Sequence, residues 1–306
     1  MIGFVFPGQG AQHPGMGREL ADNFKIAGEV FEEANDTLGF DLASMCFNGP
    51  EEDLKLTTNT QPAILAVSVA ALRVLQQETD LTPSYVAGHS LGEYSALVCS
   101  GALSFADAVR TVRRRGAFMQ EAVPVGEGAM AAIMGLDRET LEGVCAEAAQ
   151  GKVVSPANYN SPVQIVIAGH ADAVERACAL ASEKGAKRAV KLPVSAPFHC
   201  SLMVPAGERL EGVLAEVSVG EIGVPVVTNV EALPNEDPAR VHELLVRQVS
   251  APVRWAESVE AMAEQGVDNF VEIGPGKVLS GLIKRMVRGS TCRNLETPAN
   301  LKALQS

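Results

Sequence analysis

No stretch of 18 uncharged apolar residues occurs anywhere in the chain, so no membrane-spanning helix is predicted. The opening residues, Met1 to Phe6, have no basic segment ahead of their apolar run. They read as a first strand, not a secretion signal. Positive charge is in short supply: 25 Lys and Arg against 37 Asp and Glu give a formal net charge of -12. Nucleic-acid binders are normally basic, which argues against that class. An acidic chain also repels acidic partners unless it carries a local basic patch. The six cysteines (Cys46, Cys99, Cys145, Cys178, Cys200 and Cys292) form no C-x-x-C pair. Their scatter predicts reduced thiols in a cytoplasmic protein, with no zinc site and no disulfide framework. No internal repeat or low-complexity tract stands out, and no long heptad suggests an obligate oligomer, so a monomer is expected.

What is present is a chain of 306 residues, 47% hydrophobic. That length suits one large domain with an insertion, or two domains. In its first third lies Gly88-His89-Ser90-Leu91-Gly92, a G-x-S-x-G pentapeptide. It follows a short apolar run at Tyr85-Val86-Ala87 and opens an apolar segment from Tyr94 to Val98. In a strand–turn–helix setting this motif marks a serine nucleophile: the turn exposes the hydroxyl, and glycines tolerate the crowding on either side. The helix behind it aims backbone N–H groups and a positive dipole end at any oxyanion formed there.

The remaining pattern is α/β. Ile2 to Phe6 ends in the breaker cluster Pro7-Gly8-Gln9-Gly10, which places Gln9 on a loop at a strand's C-terminal end, the edge where open α/β sheets bind ligands. Pro62 is read as opening a long apolar helix to about Leu75, buried because it is hydrophobic nearly all round. Ser104 to Asp107 resembles a capping box for a helix towards Glu121. From about Val123 the order becomes strand (Ala129 to Met134), helix (Arg138 to Ala149), strand (Val153 to Ala157), strand (Gln164 to Ala168), helix (Asp172 to Lys184), strand (Ala189 to Leu192). That βαββαβ order is ferredoxin-like. Strand–helix alternation then resumes: a helix at Glu208 to Leu214, a strand at Val224 to Thr228, helices at His242 to Val249 and Trp255 to Glu264, a strand at Asn269 to Ile273 and a helix at Val278 to Met286. The tail after Arg288 is polar and is expected to be the least ordered part. The predicted division is a core of residues 1–123 and 197–306 with residues 124–196 inserted.

A serine nucleophile needs a base. Among His13, His89, His170, His199 and His242, only His199 lies on an irregular segment returning from the insertion, Ser195-Ala196-Pro197-Phe198-His199. A loop at a domain junction suits a base better than a helix face, although a structural role stays open. Arg115 falls inside the apolar stripe Ala108, Val112, Met119. A buried guanidinium needs an anionic partner. Spacing alone slightly favours an internal Asp or Glu over a substrate carboxylate, for which the planar fork is equally suited.

Six motifs in order carry a resemblance. Phe6-Pro7-Gly8-Gln9-Gly10, Gly88-His89-Ser90-Leu91-Gly92-Glu93, Arg114-Arg115-Gly116, Asn158-Tyr159-Asn160-Ser161-Pro162, Pro197-Phe198-His199 and Glu272-Ile273-Gly274-Pro275-Gly276 resemble those of the malonyl-CoA:acyl-carrier-protein transacylases, to about Arg285. The resemblance implies an α/β-hydrolase-like parallel-sheet core with an inserted ferredoxin-like subdomain. It implies Ser90 as nucleophile, His199 as base and the backbone N–H groups of Gln9 and Leu91 as oxyanion hole. It implies Arg115 as clamp for the malonyl carboxylate, and Gln248 as the residue whose backbone carbonyl orients the histidine. Asn160 is implied near the cleft. Phe198 matches malonyl-selective polyketide synthase acyltransferase domains. The implied reaction is ping-pong transfer from malonyl-CoA to the phosphopantetheine thiol of acyl carrier protein, for fatty acid or polyketide synthesis, with no metal or redox cofactor. A serine hydrolase and a non-catalytic carrier-binding relative are the competing classes.

Overall fold

The computed structural model describes residues 1–194 and 196–305; Ser195, in the segment before His199, lies outside them. Strand β1 (Ile2–Phe6) is followed by four helices that the sequence pattern does not predict: α1 (Arg18–Asn23), α2 (Lys25–Leu38), α3 (Leu42–Asn48) and α4 (Glu51–Lys55). Helix α2 presents Ala27, Val30, Phe31 and Ala34 to the core, the i, i+3, i+4, i+7 spacing of one helix face.

Helix α5 (Thr57–Glu78) is buried from Asn59 through Leu72 without a break. It starts five residues before Pro62, so the proline lies inside the helix instead of opening it. Proline leaves the carbonyl four residues back without its helical donor. Here that carbonyl belongs to Thr58, and the Nη1 of Arg113 donates to it at 2.9 Å. A distant side chain thus satisfies the group that proline strands, which local sequence cannot reveal.

Next come β2 (Tyr85–Gly88), α6 (Gly92–Cys99) and α7 (Phe105–Glu121). Ser104 caps α7, accepting from the Asp107 N–H at 3.0 Å. Then β3 (Gly128–Met134), α8 (Arg138–Ala149), β4 (Val154–Ser161), β5 (Gln164–His170), α9 (Ala171–Glu183) and β6 (Arg188–Lys191) form a separate sheet in the order β4-β5-β3-β6. All of its pairings are antiparallel, which is the ferredoxin-like arrangement. The strands alternate their allegiance. Ala129, Ala131, Ile133, Ile165 and Ile167 pack with α8 and α9. Met130, Ala132, Val166 and Ala168 join the main core. Period-two alternation with both faces apolar lets this sheet act as a wall of the larger unit.

The chain continues through α10 (Val204–Leu214), β7 (Val226–Val227), β8 (Pro234–Asn235), α11 (Val241–Ser250), α12 (Trp255–Glu264), β9 (Asn269–Ile273) and α13 (Val278–Met286). Strand β7 is shorter than its apolar run predicts; β8 folds back against it. The polar tail is ordered, contrary to expectation: β10 (Thr291–Leu295) and α14 (Pro298–Gln305) complete the chain. Five residues of β10 pair in parallel with β9, and Leu295, Leu301 and Leu304 are buried. Three apolar residues at the right spacing anchor an otherwise polar segment.

The main sheet runs β10-β9-β1-β2-β7-β8, parallel except at its β7–β8 edge. Phe6 stands opposite Gly88 in the β1–β2 pair, so the loops after β1 and β2 emerge side by side. Among the described residues no helix is long and apolar enough to cross a membrane, and no cluster of His, Cys, Asp and Glu is arranged to hold a metal ion.

Candidate active site

The turn between β2 and α6 sets Ser90 at a φ of 52°, a left-handed conformation that costs a non-glycine residue about 1–2 kcal/mol. The neighbouring glycines explain how the turn closes. A Cβ on Gly88 would lie 1.9 Å from the Gly92 carbonyl carbon, and one on Gly92 would lie 2.2 Å from the Phe6 oxygen. Both clashes are with backbone, which cannot swing away. The strained turn is tied down by Asn229, just beyond β7: its Oδ1 accepts from the Ser90 N–H at 2.7 Å, and its Nδ2 donates to the Gly88 carbonyl at 2.7 Å.

His199 reaches the serine from the other side of the cleft. Its Nε2 lies 2.7 Å from Ser90 Oγ, and its Nδ1 lies 2.9 Å from the Gln248 carbonyl oxygen. A carbonyl only accepts, so the ring proton sits on Nδ1 and a lone pair on Nε2 faces the hydroxyl. Burial, reinforced by the nearby Arg115 charge, pushes the His199 pKa down to about 3. The ring is therefore neutral at ordinary pH. His89 points away, with Nε2 at 2.8 Å from Asn160 Oδ1 on β4.

Arg115 is 1% exposed, yet no carboxylate lies within ion-pair distance of it among the described residues. The internal Asp or Glu that spacing favours as a direct partner is absent. Nη1 donates to Gln61 Oε1 at 2.7 Å; Nη2 donates to Gln248 Oε1 at 3.0 Å and to Ser90 Oγ at 3.1 Å. Its Nε is buried with no hydrogen-bond partner among the described residues, and its guanidinium carbon lies 5.7 Å from the centre of the Tyr94 ring. Three neutral acceptors and a spare N–H make a fork suited to an arriving anion.

The cavity in front of these residues has a volume of about 240 Å³ and includes Gln9, Leu91, Asn160 and Phe198 in its lining. The backbone N–H groups of Gln9 and Leu91 have no acceptor among the described residues. Leu91 stands at the N-terminus of α6, so its N–H shares the positive end of that helix. The Gln9 side chain donates to Thr57 Oγ1 at 3.2 Å, pinning the loop after β1 to the start of α5. Phe198, 7% exposed, packs into the cavity wall.

The structure thus brings Ser90, His199, Arg115, Gln248, Gln9, Leu91, Asn160 and Phe198 to one cleft. It adds Gln61, Asn229 and Glu93, to which the sequence reading gives no role. Glu93 stands inside a quoted motif, but only the fold shows what it touches. Gln61 and Asn229 meet the site from distant parts of the chain, and the sequence carries no signal for either beyond proximity to a strand end or a helix start.

An acyl transferase domain model matches residues 3–298. The chain is 54% identical over 300 residues to the malonyl CoA-acyl carrier protein transacylase of Salmonella typhimurium, covering 98% of this chain and 97% of that one. An acyl carrier protein S-malonyltransferase from Vibrio cholerae superposes with a TM-score of 0.97 at 50% identity, covering 99% of each chain. A malonyl-transacylase solved in complex with its type II PKS acyl-carrier protein superposes with the same TM-score of 0.97 at 50% identity, covering 99% of this chain and 98% of that one.

Proposed function

The chain belongs to the malonyl-CoA:acyl-carrier-protein transacylases of the acyl transferase family, and from that premise we propose that Ser90, His199 and Arg115 carry its chemistry. It transfers the malonyl group from malonyl-CoA to the phosphopantetheine thiol of acyl carrier protein. The single observation supporting the residue assignment is the Ser90 hydroxyl, held between the lone pair of a neutral His199 and the fork of a buried Arg115.

In the first half-reaction, His199 Nε2 takes the Ser90 proton while Oγ attacks the thioester carbonyl. The Gln9 and Leu91 N–H groups receive the oxyanion. His199 returns the proton to the departing coenzyme A sulfur as the C–S bond breaks. The carrier thiol then gives its proton to His199, attacks the malonyl-serine ester, and Ser90 leaves with the proton restored. Arg115 exchanges its bond to Ser90 for the malonyl carboxylate, which fixes the acyl group in attack geometry. Its charge is then offset by the substrate, which relieves part of the depression of the His199 pKa and strengthens the base when it is needed. No metal or redox cofactor enters these steps, and we place the chemistry at the junction of the core with an insertion spanning residues 124–196.

Phe198 favours a second reading of the pathway, supply of a polyketide carrier in place of a fatty acid carrier. Comparing transfer rates to the two carriers decides between them. The residue roles are tested by mapping the malonyl adduct: Ser90→Ala abolishes it and His199→Ala slows it severely in a folded protein. An adduct on any other residue overturns the assignment.

A further inference from the structure

Glu93 is the buried carboxylate nearest to this chemistry, and the mechanism above leaves it unused. It lies in the first turn of α6, three residues after the nucleophile, and is 2% exposed. Its Oε2 accepts from the Asn229 backbone N–H at 2.9 Å and from Gln248 Nε2 at 2.8 Å. The same Gln248 amide turns its Oε1 to Arg115 Nη2 at 3.0 Å, and its Nε2 also reaches the Ser90 carbonyl at 3.0 Å. The amide orientation is fixed by chemistry: its oxygen must face the guanidinium and its nitrogen the carboxylate. One glutamine therefore links an anion to a cation without letting them touch, and its backbone carbonyl holds His199.

A buried guanidinium with no counter-charge is costly, whereas one in a direct bidentate pair has no free edge for a ligand. We propose that Glu93 is a positioning residue for the transfer: its carboxylate is the internal counter-charge of Arg115, set one amide away so that the fork stays open to the substrate carboxylate. This rests on the Arg115 reading above.

The consequence is a competition. Glu93 and the malonyl carboxylate share one cation, so an ionised Glu93 weakens malonyl binding and a neutral one strengthens it. Burial pushes the Glu93 pKa up to about 7, against the lowering effects of Asn229, Gln248 and Arg115. The charged or titratable groups that face it are Arg115 from α7 and Tyr94 on its own helix. Tyr94 is held un-ionised by burial. On α7, Arg113 turns to Thr58 and Asn59 and Arg110 to Asp107, while Arg114 is exposed. On α11, Glu243 and Arg247 pair with each other on the exposed side, and His242 is half-buried, its Nε2 without a hydrogen-bond partner among the described residues. Arg73 on α5 pairs with Glu33, and β1 and β7 carry no ionisable side chain; Tyr85 on β2 reaches instead towards Gln265. With His199 neutral down to about 3 and Arg115 charged throughout, Glu93 is the group in this network that changes charge near neutrality.

The test measures KM and kcat for loading of Ser90 by malonyl-CoA and acetyl-CoA from about pH 5.5 to about pH 8.5. Acetyl-CoA carries the same coenzyme phosphates and controls for their titration. In the wild type, the malonyl KM rises about tenfold as the pH passes through the Glu93 transition, while the acetyl KM does not follow. Glu93→Gln keeps an oxygen for both donors and removes the charge. It holds the malonyl KM at the low-pH value across the range. Superimposable malonyl profiles for the variant and the wild type overturn the proposal, as does an equal shift for malonyl and acetyl, which marks a purely structural role. If the variant does not fold, a wild-type profile without a malonyl-specific step overturns it equally. Arg115→Ala run alongside separates the two failures: selective malonyl loss there, with no Glu93 step, removes the relay and leaves the clamp.

Discussion

Replacing Arg115 with alanine divides the two acyl groups that this pocket meets. The guanidinium is buried, donates to Gln61, Gln248 and Ser90, and keeps Nε in reserve. Removing one member of a buried ion pair costs about 3–5 kcal/mol. At about 1.4 kcal/mol per decade, malonyl loading falls by roughly two to nearly four orders of magnitude, if the pair persists in the transition state. Acetyl has no carboxylate and loses little. Its loading gains in one respect, because Arg115 is the second cause, after burial, of the depressed His199 pKa. Without that charge the pKa moves up, so His199 becomes a stronger base while its acid limb shifts to higher pH. The variant also leaves the Gln61 and Gln248 oxygens without their donor, a cost of about 1–3 kcal/mol each if they stay dry. Thermal unfolding checks that the loss is chemical and not structural. Single-turnover loading of Ser90 with each thioester, across pH, is the assay. A fall by the same factor for malonyl and acetyl refutes the clamp and makes Arg115 a structural cation.

Gly88→Ala places a Cβ 1.9 Å from the Gly92 carbonyl carbon; the elbow opens, adduct formation is lost, and the unfolding midpoint drops, whereas a wild-type adduct yield shows that the turn is not tight. Lys187, Arg188 and Lys191 are exposed at and beside the edge strand β6. Reversing their charge weakens transfer to an acidic carrier, increasingly so at low salt, and leaves malonyl-CoA loading nearly unchanged; equal effects on both half-reactions place the docking surface elsewhere. Phe198→Ala widens the cavity and raises methylmalonyl loading relative to malonyl, measured by competition between the two thioesters; an unchanged ratio removes Phe198 from acyl selection.

The elbow was legible because three signals agreed at one point: an apolar run, a G-x-S-x-G turn and a helical segment. The ferredoxin-like insertion was legible because its order of elements is distinctive and its strands are regular. The start of helix α5 is not legible in the sequence, because Pro62 normally opens helices and the compensating Arg113 bond to Thr58 is long-range. The order of the tail is hidden in the sequence, because three leucines among polar residues make a weak local pattern that only pairing with β9 completes. Arg115 could be singled out from its stripe, but its partners could not. Gln61, Gln248 and Ser90 come from three separate elements, and only tertiary structure shows that, among the described residues, no carboxylate pairs directly with Arg115. Asn229 is the clearest limit: it holds the nucleophile turn from 139 residues away, and nothing around it in the chain signals that task.

In the proposed mechanism the malonyl group passes through a Ser90 ester to the carrier thiol. Intact mass after brief exposure to malonyl-CoA, with and without phosphopantetheinylated carrier, tests it most directly. The expected result is a malonyl adduct that persists in water, maps to Ser90, and disappears when the carrier is added as the carrier gains the same mass. Loss of the adduct to water at the same rate without carrier would make the protein a hydrolase, and no adduct at all would contradict the covalent route.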